Sequence, residues 1–413
     1  MAHLGSFIRN EAGNVSQIFA LALVPIIVTV GMTTDYSRAA RSETILQNAV
    51  DATAIMLAKE APKANQSQLQ KAGEAYLGAM MASQKDFAVD TVKVTKTTDA
   101  VRVSAAGTSK LFFGGLIGQK SWVVPANATV AYGGKKIELV LVLDNTGSMA
   151  ASDKIGELRK ASHSLLTTLE KVAVTSGQVK VSIVPYTTRV KLGTSYRDEN
   201  WLTLSPTGWF VSDYVTPTSR VAWTGCVADR DTPANTGDVP YSAGTVSTHY
   251  PMTNCTDTVA AATPLTDNWA KLHASVDTMV AGGMTNITLG AQMGFEMLTN
   301  DKPFNQASGD PNVERFMVLL TDGYNTQDRW GWDVARMDAN TKAVCDTITE
   351  RGVAGAKKRN IKLYTVLVID GNENLLKSCA SDPSMYMKAA SATDLQSVFK
   401  KIADEISNIR LTM

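Results

Sequence analysis

The run Ile137-Glu138-Leu139-Val140-Leu141-Val142-Leu143 leads without a break into Asp144-Asn145-Thr146-Gly147-Ser148-Met149, and the fold is read outward from this junction. A near-continuous apolar run is what a strand buried on both faces requires, and such strands belong to parallel sheets covered by helices. On either side of it, strands and helices alternate. Lys154 to Ala173 has helical periodicity, Val179 to Tyr186 reads as a strand, and Asn268 to Val280 and Asn286 to Leu298 read as helices. Phe316 to Leu320 is a second buried strand, followed by a helix over Ala335 to Val353, a strand over Lys362 to Ile369 and a helix over Ala392 to Ile409. Alternation this regular predicts an α/β fold with a doubly wound, mostly parallel sheet from Lys135 to Met413.

One stretch departs from it. Residues 192–263 carry Trp201, Trp209, Trp223, several Pro and Gly, and no sustained period. A connection of that length inside a compact domain is functional or a subdomain of its own, so this segment reads as an insertion. The chain has four cysteines, Cys226, Cys255, Cys345 and Cys379, none in a zinc-binding spacing. An even number suits two disulfides in an oxidising compartment. Pairing of neighbours, Cys226 with Cys255 inside the insertion and Cys345 with Cys379 inside the α/β module, is the expected connectivity among the three that are open.

At the other end, Ala12 to Thr34 contains no charge. At about 1.5 Å per residue it is long enough for a hydrocarbon core of roughly 30 Å. The small-x-small site Ala20-Leu21-Ala22 lies inside the apolar run rather than after it, which favours an uncleaved anchor over a signal peptide. The N-terminal dozen residues are expected in the cytoplasm and everything after about Asp35 on the far side. Ile45, Ala49, Ala52 and Met56, with Leu46, Val50 and Leu57, continue the helix to Ala61, so residues 1–61 form an anchor with an amphipathic extension. Residues 62–134 read as a small α+β region: a helix over Ser67 to Ser83, a hairpin over Thr91 to Ala105 with its turn near Thr98-Asp99, and a strand from Ser121 to Tyr132, closed by a Gly133-Gly134 linker.

Composition narrows the function. With 40 Lys+Arg against 39 Asp+Glu in 413 residues, the chain has no global basic field for nucleic acid. Ser148 lacks a Gly-x-Ser-x-Gly elbow, and none of His3, His163, His249 and His273 stands in a base motif. His163 is expected at a surface or interface, and the chain is expected not to be an enzyme.

The chemistry lies at strand ends, where doubly wound sheets gather ligands. One strand runs into Asp144, another into Thr321-Asp322-Gly323, and Gly282-Gly283-Met284-Thr285-Asn286 is a glycine-rich loop before a helix. Together they offer Asp144, Thr146, Ser148, Thr285 and Asp322, hard oxygen donors without His or Cys. Such a set suits Mg2+, with Mn2+ or Ca2+ as alternatives. Two carboxylates leave a dication partly uncompensated, so an acidic residue of a protein partner is expected to complete its shell. Both aspartates are expected at strand ends, where their removal costs little packing.

Asp144-Asn145-Thr146-Gly147-Ser148 with Thr285 and Thr321-Asp322-Gly323 resembles the metal-ion-dependent adhesion site of von Willebrand factor A (vWA) domains. The resemblance implies a parallel-rich sheet between helices, with Ser148, Thr146 and Thr285 on the cation and Asp144 and Asp322 acting through water; Thr146 stands where many members have Ser. Gly13-Asn14-Val15, Asp35-Tyr36 and Leu46-Gln47-Asn48-Ala49-Val50-Asp51-Ala52 are similar to the TadE/TadG membrane segment. Trp223-Thr224-Gly225-Cys226, Cys345-Asp346 and Ser378-Cys379-Ala380-Ser381 resemble TadG proteins of Flp/Tad (tight adherence) pilus systems. This implies a single-pass protein of a bacterial inner membrane, its C-terminal module in the periplasm or outside the cell, acting in pilus assembly or anchoring. A minor pilus subunit or a surface adhesin with a vWA head is the alternative. The fifth residue after Gly13 is Ile18 rather than the Glu of processed TadE-type pseudopilins, so cleavage as a pilin is not implied.

Overall fold

A computed structural model describes residues 14–97, 100–132, 135–204, 212, 214–256, 258–351 and 359–411. The N-terminal dozen residues, the Thr98-Asp99 turn, the Gly133-Gly134 linker and Trp209 lie outside the described residues. The chain divides into two compact units, Met1–Gly133 and Gly134–Met413.

In the first unit, helix α1 (Asn14–Glu60) runs for 47 residues, a length of roughly 70 Å at the α-helical rise. Its first half is apolar and open on nearly every side, with Ile18, Phe19, Leu21, Val24 and Val30 all more than half exposed. Among the described residues it is the one helix long and apolar enough to cross a membrane. Pro25 sits inside it without ending it. The hydroxyls of Thr29, Thr33 and Thr34 donate to carbonyls four residues back at 2.7, 2.9 and 3.0 Å, so none is left unpaired toward an apolar surrounding.

The second half of α1 packs through Leu46, Val50, Ala54 and Leu57, each fully buried. They meet α2 (Gln66–Met81) and the antiparallel sheet of β1 (Phe87–Lys96), β2 (Ala100–Lys110) and β3 (Ser121–Ala131), in that order. Met56, placed by periodicity on a buried stripe, is 37% exposed. Apolar residues occur on more than one face of this segment, and only the position of the sheet decides which face is covered. Helix α2 begins with a reciprocal cap between Asn65 and Gln68, 2.9 Å in each direction.

In the second unit, the central sheet starts with β4 (Ile137–Asp144) and β5 (Val179–Tyr186), with α3 (Lys154–Val172) between them. The insertion follows as β6 (Val190–Lys191), β7 (Leu202–Thr203), β8 (Cys226–Val227) and β9 (Tyr250–Thr253), a small sheet in the order β6-β8-β9-β7. The chain then forms β10 (Thr263–Thr266), α4 (Trp269–Asp277), α5 (Ile287–Met297), β11 (Glu314–Thr321), α6 (Val334–Ile348), β12 (Ile361–Val368), α7 (Glu373–Cys379), β13 (Tyr386–Ala389) and α8 (Leu395–Leu411). The six-stranded order is β10-β5-β4-β11-β12-β13, parallel except where β10 pairs antiparallel with β5.

Alternation along β4 shows why both faces must be covered. Val140 and Val142 enter one core with α5, α6 and α7, while Leu139, Leu141 and Leu143 enter the other with α3, α4 and α8. The fold is the α/β sheet the sequence predicts. The sequence does not predict β10, β13 and α7, nor the short strands β6 to β9. The insertion packs onto the sheet rather than apart from it: Trp201 and Trp223, 1% and 2% exposed, join the same core as Val140 and Val142. Arg230 ties it to α5 through a 2.5 Å bond to Glu296, both side chains buried. Cys226 pairs with Cys255 inside the insertion, and Cys345 pairs with Cys379 across α6 and α7.

Candidate functional site

Strands β4 and β11 run parallel in a register that sets Leu143 beside Leu320, so Asp144 and Asp322 emerge at the same carboxyl edge. Asp144 accepts the Thr146 backbone N–H at 2.8 Å on one oxygen and the Thr321 hydroxyl at 2.7 Å on the other. The hydroxyls of Thr146 and Ser148 lie 3.0 Å apart, and Ser148 donates to Asp322 at 2.6 Å. Four of the five expected donors therefore form one hydrogen-bonded chain. Thr285 reaches the same place through its loop. Gly147 N–H donates to the Gly283 carbonyl at 2.9 Å and Gly282 N–H to the Asn145 carbonyl at 2.8 Å. Thr285 itself is held by its N–H on Thr326 Oγ1 at 2.7 Å and by its carbonyl, which accepts from Thr326 at 2.9 Å. Asp144, Thr146 and Asp322 form a buried floor, and Ser148 and Tyr324 an exposed rim.

Asp144 corrects the expectation that its removal costs little packing. Its carboxylate is fully buried and organises both strand ends, so truncation leaves the Thr146 N–H and the Thr321 hydroxyl without their acceptor, at about 1–3 kcal/mol for a buried polar group. Burial lifts the Asp144 carboxyl to about 6, with the Asp322 charge adding to it and the bonds from Thr146 and Thr321 opposing.

Sequence reasoning missed Lys154. The turn Gly147–Asp153 ends with Ser152 and Asp153 in the left-handed region, at φ 55° and 53°. The chain is thereby turned so that the first residue of α3 points its ammonium back at the second carboxylate oxygen of Asp322, with which it forms a buried ion pair. The only local hint is a lysine where helix α3 begins, at the end of the helix that favours acidic residues.

The set fits a hard dication. Among the described residues no three His, Cys, Asp or Glu side chains gather as a metal site, so a cation here relies on hydroxyls and the two carboxylates. Those carboxylates stand close enough for one to raise the other, and a positive charge between them relieves that. The residues that would hold it are Ser148, Thr146, Thr285, Asp144 and Asp322; the cation would supply a Lewis-acidic point for an incoming carboxylate.

Two family models match the chain: one described as putative Flp pilus-assembly TadE/G-like over residues 13–58, and one described as von Willebrand factor type A domain over residues 238–401. The chain carries a TadE/G-like segment and a vWA domain. The vWA match covers Thr285 and Asp322, and the Asp144 to Ser148 segment precedes it. The TadE/G-like match and the long apolar α1 point to a single-pass membrane anchor. No curated protein matches. Among solved structures, the chain is similar to the pilus adhesin SpaC from Lactobacillus rhamnosus GG, at 15% identity and TM-score 0.39, covering 79% of this chain and 35% of that one; it thus spans about a third of that relative. It is also similar to the vWF domain of the type V pili tip protein Mfa5 from Porphyromonas gingivalis, at 10% identity and TM-score 0.40, covering 67% and 97%. A third is proximal thread matrix protein 1 from the mussel byssus with a zinc-occupied MIDAS motif, at 12% identity and TM-score 0.35, covering 66% and 48%.

Behind the vWA site, Asn286 caps α5 and donates its amide to both oxygens of Asp229 at 3.0 and 2.9 Å. Burial pushes the Asp229 carboxyl up to about 7, the neighbouring Asp328 charge adds to this, and the Asn286 bonds and the Arg329 charge oppose it. Buried Tyr214 also faces Asp229. An acid whose pKa is raised on folding binds a proton more tightly in the folded state, so its contribution is present below about pH 4 and is lost as pH rises through about 7. Asp229→Asn is therefore expected to be more stable than the parent at pH 8, by roughly 1–2 kcal/mol, and no more stable near pH 4. Urea midpoints across this range check it; a difference that stayed flat with pH would place the proton elsewhere.

His163 of α3 stacks on His273 of α4 with ring centroids 4.9 Å apart, and its Nε2 lies 2.9 Å from Asp277. It is a contact between helices, and the Ser148 hydroxyl is engaged by Asp322 and Thr146.

Proposed function

We propose that this is a membrane-anchored, non-enzymatic binding protein of a Flp/Tad pilus system. Its vWA domain lies beyond the inner membrane and holds a protein partner through a divalent cation, Mg2+ in the first instance. The observation that carries this reading is the hydrogen-bonded set Asp144, Thr146, Ser148 and Asp322 at the carboxyl edge of the sheet, sewn by backbone bonds to the Thr285 loop. Buried Lys154 already answers one of the two carboxylates, so a dication bound there keeps a net positive charge that an acidic partner residue neutralises. The TadE/G-like match supports the setting.

The test is purification of the full chain from its own membranes with the anchor intact, followed by elution with chelator. A specific partner is expected to be released by chelator and to rebind when Mg2+ is restored, and to be absent from the Ser148→Ala preparation. Calorimetric titration should show Mg2+ affinity lowered roughly tenfold or more by Ser148→Ala or Thr285→Ala, and little changed by Thr146→Ser, which keeps the hydroxyl. A partner retained in chelator would refute cation-dependent binding. The TadE/G-like segment also suits a minor pilus subunit whose helix packs into the fibre; stoichiometric amounts of this chain in purified fibres would favour that role.

A further inference from the structure

Asp35 is the first charge after the apolar run of α1, yet it is only 4% exposed. Its carboxylate accepts the backbone N–H groups of Phe112, Phe113 and Gly114, each at 2.8 Å. These amides belong to the turn between β2 and β3, so that turn is clamped to the helix where the uncharged segment ends. It also reaches back along the segment. The Phe113 ring covers Gly31 so closely that a Cβ at position 31 would fall 2.5 Å from its Cγ. Gly31 is one helical turn before Asp35, about 6 Å deeper along the axis. A groove of about 470 Å³ between the turn and the helix is lined by Leu111 and Trp122 on one side and Thr29 and Met32 on the other.

The turn and the start of β3 are apolar and open: Phe112 is 62% exposed, Trp122 48% and Val123 62%. A water-facing tip of this composition exposes a large apolar patch without return. At the level of lipid headgroups the same residues are anchors, since aromatic side chains favour that boundary. Lys110 and Lys120 flank the turn and are exposed, and the Arg38 guanidinium lies 4.1 Å above the Phe112 ring. Basic residues around an aromatic tip suit anionic headgroups.

We propose that the turn with the start of β3, Leu111–Val123, is a second membrane contact, seated in the headgroup–acyl boundary of the leaflet through which α1 leaves the bilayer. The inference rests on α1 spanning a membrane. Given that, the occupant is lipid, because Phe113 is fixed at a depth inside the spanning segment. Because the turn is fixed to α1 by Asp35 and Phe113, seating it at that boundary sets the depth at which the helix leaves the bilayer.

All four cysteines are paired, so an introduced cysteine carries a single label. The full chain is reconstituted in vesicles of phosphatidylcholine with a minority of phosphatidylglycerol, labelled with an environment-sensitive nitrobenzoxadiazole at Phe112→Cys, Val24→Cys or Ser67→Cys, and exposed to lipids bearing nitroxide below the headgroup. The labels at positions 24 and 112 are expected to emit as in an apolar medium and to lose most of their emission to the nitroxide, while position 67 stays unquenched. Quenching at 24 with aqueous, unquenched emission at 112 would overturn the second contact and leave the span intact. Apolar but unquenched emission at 112 would mean that protein, a second copy included, covers the turn, which also overturns it. Loss of quenching at 24 as well would remove the span and the inference together.

Discussion

Asp322→Ala is expected to abolish Mg2+ binding and also to lower the stability of the vWA domain by about 3–5 kcal/mol, the cost of leaving one partner of a buried ion pair alone. The Asp322 side chain is fully buried and that of Lys154 is 10% exposed, so the ammonium stays largely buried when its carboxylate partner goes. The Ser148 hydroxyl loses its acceptor at the same time. The double substitution Asp322→Ala with Lys154→Met removes both charges, and replacing both partners by apolar groups is often neutral. It is expected to recover most of the lost stability while Mg2+ binding stays absent. This separates the two roles of Asp322. Tryptophan fluorescence during urea unfolding of the full chain reads mainly this domain, since Trp122 is the one tryptophan before Gly134. Retained Mg2+ affinity in Asp322→Ala would take Asp322 out of the site. A double variant no more stable than the single one would show that Lys154 was not the source of the loss.

Replacing Cys345 and Cys379 together by alanine is expected to cost the same domain about 3–4 kcal/mol, the chain-entropy value for a bridge closing a loop of this length. The two cysteines are 34 residues apart with Cα atoms at 5.0 Å, and both are fully buried. Their bridge joins α6 to α7 over one face of the sheet, so losing it also leaves two small defects in packed core. The bridge between Cys226 and Cys255 spans 29 residues and closes only the insertion, so its loss should loosen that subdomain while the central sheet persists. Urea midpoints of the two double variants, with peptide mapping under non-reducing conditions, check both. Four free thiols in protein isolated without reductant would refute the bridges and the oxidising compartment with them.

Much of this protein is written locally. The strand Ile137–Asp144 is legible because burial on both faces demands an unbroken apolar run, and Val179–Tyr186 matches its sequence-based bounds residue for residue. The length of α1 follows from an uncharged segment that runs on into helical periodicity. Asp144, Thr146, Ser148, Thr285 and Asp322 can be picked out because the carboxyl edge of a doubly wound sheet is a known place for ligands. Strands β10 and β13 have four residues each, too few to show a period, and they exist because β5 and β12 present edges to pair with. The fold of residues 192–263 was equally hidden, since strands of two to four residues around Trp201 and Trp223 carry no repeat. The ion pair of Lys154 with Asp322 joins residues 168 apart, that of Arg230 with Glu296 residues 66 apart, and the clamp of Asp35 on the β2–β3 turn residues 77 to 79 apart. Periodicity and turn chemistry reach only a few residues along the chain, so the sequence by itself determined the long elements, the candidate donor set and the apolar helix. Which charges are buried together, which face of α1 is covered and what holds the strand ends in place depend on chain segments meeting in space, and only the tertiary structure decided them.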